Sequence, residues 1–392
     1  MGRKEIIYLD NAATTGLDPK VIEAMDYCHK LRAMNASSSH KAGLLAALQI
    51  EKARALIADE INANPNEIVF TSGGTESANL ALKGIAWANA DTGRHIITTR
   101  IEHPCVLESA RWLEKNGFEV TYLPVDSEGF VDPASIEKAI KKGTILVSII
   151  HGHNEFGTLQ PLGELREACR QKGINFHTDA CQSFTKSRLD VKKDRIDLIS
   201  INAHKIHGPR GVGALYVREG VKILPLLHGG GQEHGYRSGT YNTEGIAGFG
   251  KACEIASWRD IQKMTSLREY FLGKIYRQLS CVSLNGPKSK KNRLCNNINL
   301  TFKSHSGKKL AQELDKLGIC VSAGSACAAT KLSPSHSLLA LGLSPKMAFN
   351  SLRIVLNKWN TKEEVDYTAQ KIAELVAAKE GHPYGKNHSQ GR

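Results

Sequence analysis

No stretch of the 392-residue chain holds enough consecutive apolar residues to cross a bilayer, so no membrane contact is expected. The opening run, Met1 to Ile7, is too short and too charged to serve as a secretory leader. The nine cysteines stand singly, without the paired spacing that holds zinc or an iron-sulfur cluster. An odd count also argues against a fully paired disulfide framework, so each reads as a free thiol and no metal is expected. Aromatic residues make up only 6% of the chain and are not interleaved with its basic clusters, such as 288–293 and the pair Lys308 and Lys309. Direct nucleic-acid binding by base stacking is therefore not expected. The net charge of +13 reads as solvated basic loops that favour acidic partners. What remains is a globular protein of the cytoplasm.

At this length one hydrophobic core is exceeded, and two domains are the default. The apolar run Ile6 to Leu9 ends in the small polar residues Asp10-Asn11-Ala12-Ala13-Thr14-Thr15. Helical patterns follow over 19–31 and 42–62. The run 67–71 is β-rich and delivers Ser72-Gly73-Gly74-Thr75-Glu76 into a helical stretch expected over 77–90. A strand, a glycine turn and a helix start together place free N–H groups and a positive dipole end at one spot, a natural phosphate site. The spacing is neither a Walker lysine loop nor a full dinucleotide pattern, and the glycines also suit a plain tight turn. Strands then alternate with helices: 95–99, 104–116, 119–123, 133–141, 144–150, 162–172, 174–178 and 196–201. Repeated βα units predict a mainly parallel sheet whose ligand site lies at the carboxyl ends of its strands.

Those ends carry Thr75, His103, Asn154 with Glu155, Asp179 with Gln182, and His204 with Lys205. Lys205 follows a buried strand and precedes Gly208, Gly211 and Gly213, which turn the chain into a second strand at 214–217. A lysine there can have a lowered pKa and form a Schiff base, although a solvated surface lysine fits the same letters. His103 equally fits a helix cap, and Asp179 equally caps the next turn. Buried acids are nevertheless costly without a positive partner. The set makes sense as one site for a pyridine aldehyde phosphate, with Lys205 on the aldehyde, Asp179 on the ring nitrogen and the glycine turn on the phosphate.

The chain resembles the pyridoxal-phosphate cysteine desulfurases of the NifS/IscS class, over nearly its whole length. The motifs are Tyr8 to Thr15, Ser72 to Glu76, Glu102-His103-Pro104, Asn154 to Gly157, Asp179-Ala180-Cys181-Gln182, His204-Lys205, Arg237 to Thr240, Ser351-Leu352-Arg353 and above all Ser322 to Cys327. The resemblance implies fold type I, an α/β fold with a mainly parallel seven-stranded large domain and a smaller α+β domain. The expected division is 1–18 joining the small domain, 19–256 for the large domain, 257–380 for the small one, and a flexible tail over 381–392. It implies pyridoxal 5'-phosphate held by Gly74, Thr75, Asp179, Gln182, Asn202, His204 and Lys205, with Thr240 reaching in from a second subunit of a homodimer. L-cysteine would be held by Arg353, Asn154 and Asn11, and no metal is implied. Lys205 would move the α-proton, His103 would handle protons on the substrate thiol, and Cys327 would take the sulfur as a persulfide for an acceptor protein. That acceptor is an iron-sulfur scaffold or a thiolation enzyme. Cys327 is set among small residues with a polar stretch after it, which reads as a mobile loop, and no other cysteine has that setting. The chain departs from the pattern at Ala36, at Asn202 in place of a serine, and at His153 in place of an asparagine. Ala36 is reminiscent of desulfurases that feed DNA phosphorothioation. Selenocysteine lyase or aminotransferase chemistry on the same fold, and a non-catalytic scaffold, are the alternatives.

Overall fold

The computed structural model describes residues 6–30, 35–170, 172–323 and 333–378. Cys327 and the tail 381–392 lie outside the described residues. The chain opens with the two-residue strand β1 (Ile7–Tyr8). Seven further strands build the large sheet: β2 (Ile68–Thr71), β3 (His95–Thr99), β4 (Glu119–Leu123), β5 (Thr144–Ser148), β6 (Asn175–Asp179), β7 (Leu198–Asn202) and β8 (Gly213–Val217). Their order is β2-β8-β7-β6-β5-β3-β4, and only β8 runs against its neighbours. β2, β3, β5, β7 and β8 are buried at nearly every position, as a sheet covered on both faces requires. That is why those segments read as continuous apolar runs rather than alternations. The seven-stranded, mainly parallel expectation is met.

A second sheet, in the order β12-β10-β9, forms from β9 (Val282–Leu284), β10 (Asn297–Phe302) and β12 (Ser351–Val355), while β11 (Ile319–Cys320) pairs with β1 in parallel. Its core joins Phe271, Ile275, Ile298, Leu300, Leu352 and Ile372, and Leu9 from the start of the chain belongs to the same cluster. The amino-terminal segment thus runs from this small core back to the large sheet, where Thr15 N donates to His204 O at 2.9 Å.

Three elements differ from the sequence reading. The helix after β2 spans Gly74–Ala88, three residues earlier than expected, with Gly73 as its cap. Gly74 and Thr75 therefore sit in the first turn itself, where N–H groups have no intrahelical partner. The helix Thr243–Glu254 escaped notice because Gly245, Gly248 and Gly250 interrupt its apolar face. Those glycines are there for close packing: a Cβ on Gly250 would stand 2.6 Å from Ala53 Cα, and one on Gly248 2.7 Å from Met25 Cγ. β12 was missed as well, although it is fully buried between β10 and the bridge to Ser322.

Candidate active site

The carboxyl ends of β2, β3, β5, β6 and β7 open onto one cavity of about 270 Å³, close to the lower end of small-ligand pockets at roughly 300 Å³. Of the residues expected there, Gly74, Thr75, His103, Asn154, Asp179, Gln182, Asn202, His204, Lys205 and Arg353 all line it. The side chains of Thr75 and Arg353, 278 positions apart in sequence, meet because β12 brings Arg353 against the large sheet. Two expected residues do not line it. Asn11 Nδ2 donates to Val355 O at 2.8 Å and its Oδ1 accepts from Asn357 Nδ2 at 3.1 Å, so the amide ties the amino-terminal segment to the small unit. Thr240 is exposed on the surface.

Lys205 is reached by the tight turn after β7. Burial, and next the Arg353 charge, push its pKa down to about 8. Its Nζ donates to the carbonyl oxygens of Ala12 and, at 2.6 Å, of Ala13. Burial alone does not single out this amine. Lys186 is also pushed down to about 8 by burial, but it donates to Gln182 O at 3.1 Å and does not line the cavity. Lys205 is half-buried with its amine on two backbone carbonyls, which does not fit a lysine solvated at the surface.

Asp179, the last residue of β6, is 4% exposed. Its Oδ1 accepts from Cys181 N at 2.9 Å, so the turn-capping reading is correct as far as it goes. Among the described residues no cation pairs with it. His103 caps the helix Pro104–Lys115, its Nδ1 accepting from Cys105 N at 3.2 Å. Burial lowers its pKa against the opposing pull of Asp179. His204 is likewise held neutral, at about 4, by burial and by Lys205. Gln182 Nε2 donates to Ala12 O at 2.9 Å, bracing the same carbonyl that receives Lys205.

Arg353 projects from β12 with 2% exposure. Its Nη2 is paired with Asp10 Oδ1 at 2.7 Å, its Nη1 reaches Asn154 O at 3.4 Å, and its Nε has no partner among the described residues. The backbone of Arg353 also exchanges both hydrogen bonds with Ser322, at 3.1 and 2.7 Å. His336, on the far side of the segment 324–332, lines the cavity and reaches Glu102 O through Nε2 at 3.2 Å.

The residues present fit pyridoxal 5'-phosphate. Asp179 is a buried carboxyl group with no cation beside it among the described residues, and a protonated ring nitrogen would supply one. Gly73, with φ +149°, has nothing within 4 Å of a notional Cβ, leaving room beside the first-turn N–H groups of the helix at Gly74 and Thr75. Asn202 keeps a buried, unpartnered Oδ1 on an amide that faces the cavity. Its Nδ2, the donor a phosphate would need, lies 3.3 Å from where a Cβ on Gly74 would stand, beside the same helix start.

Sequence reasoning gave no role to Glu102, Glu155, Cys105, Cys181, His336 and Ser337, all of which line the cavity. Glu102 is fully buried, and burial raises its pKa to about 8. Its Oε1 accepts from Thr99 Oγ1 at 2.7 Å and Ile150 N at 2.9 Å, tying β3 to the loop after β5. A carboxylate three residues beyond the β-rich run 95–99 was the available signal. His153 proves structural: its Nδ1 accepts from Glu155 N at 3.1 Å, its Nε2 donates to Ile101 O at 2.9 Å, and its ring stacks on Phe156 at 3.6 Å.

The model of the aminotransferase class-V family matches residues 7–368. The chain is 48% identical to the cysteine desulfurase IscS of Dictyoglomus turgidum over 95% of both chains. Among solved structures, a NifS-like protein superposes with a TM-score of 0.88 at 38% identity, covering 95% of this chain and all of that one. SspA in complex with cysteine superposes with a TM-score of 0.81 at 39% identity, covering 91% of this chain and all of that one. Pyridoxal phosphate dependence is general in this family. The chain belongs to the aminotransferase class-V family, in its cysteine desulfurase group.

Proposed function

We propose that the chain converts L-cysteine to L-alanine and passes the sulfur, as a persulfide on Cys327, to an acceptor protein in the cytoplasm. The observation that carries this reading is the meeting of Lys205, unpaired Asp179 and Arg353 in one buried cavity. Pyridoxal 5'-phosphate, when bound, supplies an aldehyde for amino groups and a cationic ring that withdraws electrons from the substrate. Gly74, Thr75, Asn202 and His204 would hold its phosphate, Asp179 its ring nitrogen and Gln182 its ring hydroxyl.

Arg353 receives the substrate carboxylate, through a guanidinium whose Nε is already buried and free. Asp10 now occupies Nη2, so the incoming carboxylate competes with it or shares the guanidinium. Asn154 lies beside the same group. Lys205, neutral above about pH 8, leaves the carbonyls of Ala12 and Ala13 and takes the proton from the substrate Cα. His103 stands over the cavity to hold or return a proton at the substrate sulfur. The Cys327 thiolate attacks that sulfur; an S–S bond forms as the substrate C–S bond breaks, and alanine departs after reprotonation. Ser322 bonded to Arg353 and His336 in the cavity wall bracket the segment that carries Cys327, which supports this assignment.

The smaller domain, 1–18 with 257–380, would carry Arg353 and Cys327 against the large domain, 19–256. A homodimer completes the site through Thr240, whose exposure in the single chain suits a role in a partner subunit's cavity. The acceptor is an iron-sulfur scaffold or a thiolation enzyme. The test is direct: purified protein should show a near-visible absorbance band and release alanine from L-cysteine. A protein that takes up pyridoxal phosphate but releases no alanine would overturn the reading.

A further inference from the structure

Two thiols that sequence spacing left isolated, Cys105 and Cys181, stand in the cavity wall. Cys105 occupies the first turn of the helix capped by His103, and that turn folds its Sγ back to 3.0 Å from His103 Nδ1. A ring nitrogen of His103, the Cys105 sulfur and a carboxylate oxygen of Asp179 all lie within 4.8 Å of one another. One imidazole, one thiolate and one carboxylate form a mixed nitrogen, sulfur and oxygen donor set, the kind that borderline divalent cations select. Three protein ligands would leave the fourth position of a tetrahedral ion to solvent, and all three residues line the cavity. The two anionic ligands balance a divalent charge, and Asp179 has no competing ion pair among the described residues.

We propose that the cofactor-free chain binds one thiophilic divalent cation, of the Zn²⁺ or Cd²⁺ class, on His103, Cys105 and Asp179, and that this cation and pyridoxal 5'-phosphate exclude each other. Binding forms a sulfur–metal bond and releases the thiol proton to solvent; nothing is oxidised or reduced. The exclusion, though not the metal site itself, rests on Asp179 and His103 serving the cofactor ring. One carboxylate cannot neutralise a metal and a ring nitrogen at the same time. Metal sensitivity thus falls on cofactor loading rather than on turnover, and it comes from a thiol other than the one that carries sulfur.

The test uses the full chain stripped of cofactor. Cd²⁺ is titrated in, and the ultraviolet thiolate–cadmium band is followed in wild type and Cys105→Ala. Pyridoxal 5'-phosphate is then added with and without Zn²⁺ while the near-visible band is timed. At a cation concentration roughly ten times its dissociation constant about a tenth of sites stay free, so loading of wild type should slow about tenfold. Cys105→Ala should load at one rate with or without Zn²⁺, and should lack the part of the cadmium band that the cofactor displaces. Equal slowing in both proteins, no slowing in wild type, or a cadmium band untouched by cofactor would overturn the proposal. If Cys105→Ala fails to load without metal, Cys105→Ser takes its place. Should no near-visible band form in any protein, the cofactor reading fails, while the cadmium titration still reports on Cys105.

Discussion

The two sides of the cavity are prepared differently. The large sheet presents groups with open valences: Asp179 without a cation among the described residues, Asn202 with its amide nitrogen beside Gly74, and a helix start with free N–H groups. The small sheet presents Arg353 already engaged, by Asp10 through its side chain and by Ser322 through its backbone. A ligand on the first side fills vacancies, whereas a ligand on the second competes with a carboxylate already present or shares the guanidinium with it. On the proposed assignment the cofactor side is preformed, while Arg353 on the substrate side is held by Asp10 of the amino-terminal segment. Lys205 sits between them, with its amine on Ala12 and Ala13 of that same segment.

The sharpest break of the large-sheet side is Lys205→Ala, expected to abolish the near-visible band and to lower desulfuration by about a thousandfold or more, measured as alanine released. Arg353→Lys attacks the other side alone. It should leave the band intact while KM for L-cysteine rises roughly ten- to a hundredfold, because a bidentate charge-assisted contact worth about 1.5–3 kcal/mol is lost. Asp10→Asn probes the exchange itself. Removing the competing charge should lower KM by a few-fold, under about 1 kcal/mol, while the chain melts at a lower temperature because buried Arg353 loses its charged partner. A rise in KM would mean that Asp10 only orients the guanidinium. The smallest effect belongs to Glu102. Its folded pKa of about 8 stands above the ordinary 4.5, so the folded chain keeps a proton that the unfolded chain releases between those values. Stability supplied by that proton is complete below about 4.5 and is lost as pH rises toward 8. Glu102→Gln keeps the acceptor for Thr99 and Ile150 and should flatten the melting temperature over that window.

The large sheet was legible because strands buried on both faces spell continuous apolar runs, each ending where a polar residue faces the ligand. Ten of the expected cavity residues follow from that rule together with the family motifs. Three kinds of information were not in the pattern. The helix Thr243–Glu254 trades its apolar stripe for glycines where Ala53 and Met25 press close, so periodicity fails at the point where packing is tightest. Asn11 sits in a motif beside the site, yet its amide is spent on Val355 and Asn357, and only the fold decides which way a side chain turns. Cys105 and Asp179 are 74 positions apart and come together only through the parallel order of β3, β5 and β6. Spacing along the chain cannot show a ligand set assembled across strands.

The central claim is that sulfur leaves L-cysteine through the joint action of Lys205 and Cys327. Mass spectrometry of the digested protein after one equivalent of L-cysteine, without reductant, tests it most directly. The account predicts a gain of one sulfur atom on the peptide that contains Cys327, and no gain in the Lys205→Ala protein. Alanine released with Cys327 unmodified, or sulfur found on Cys105 or Cys181 instead, would contradict it.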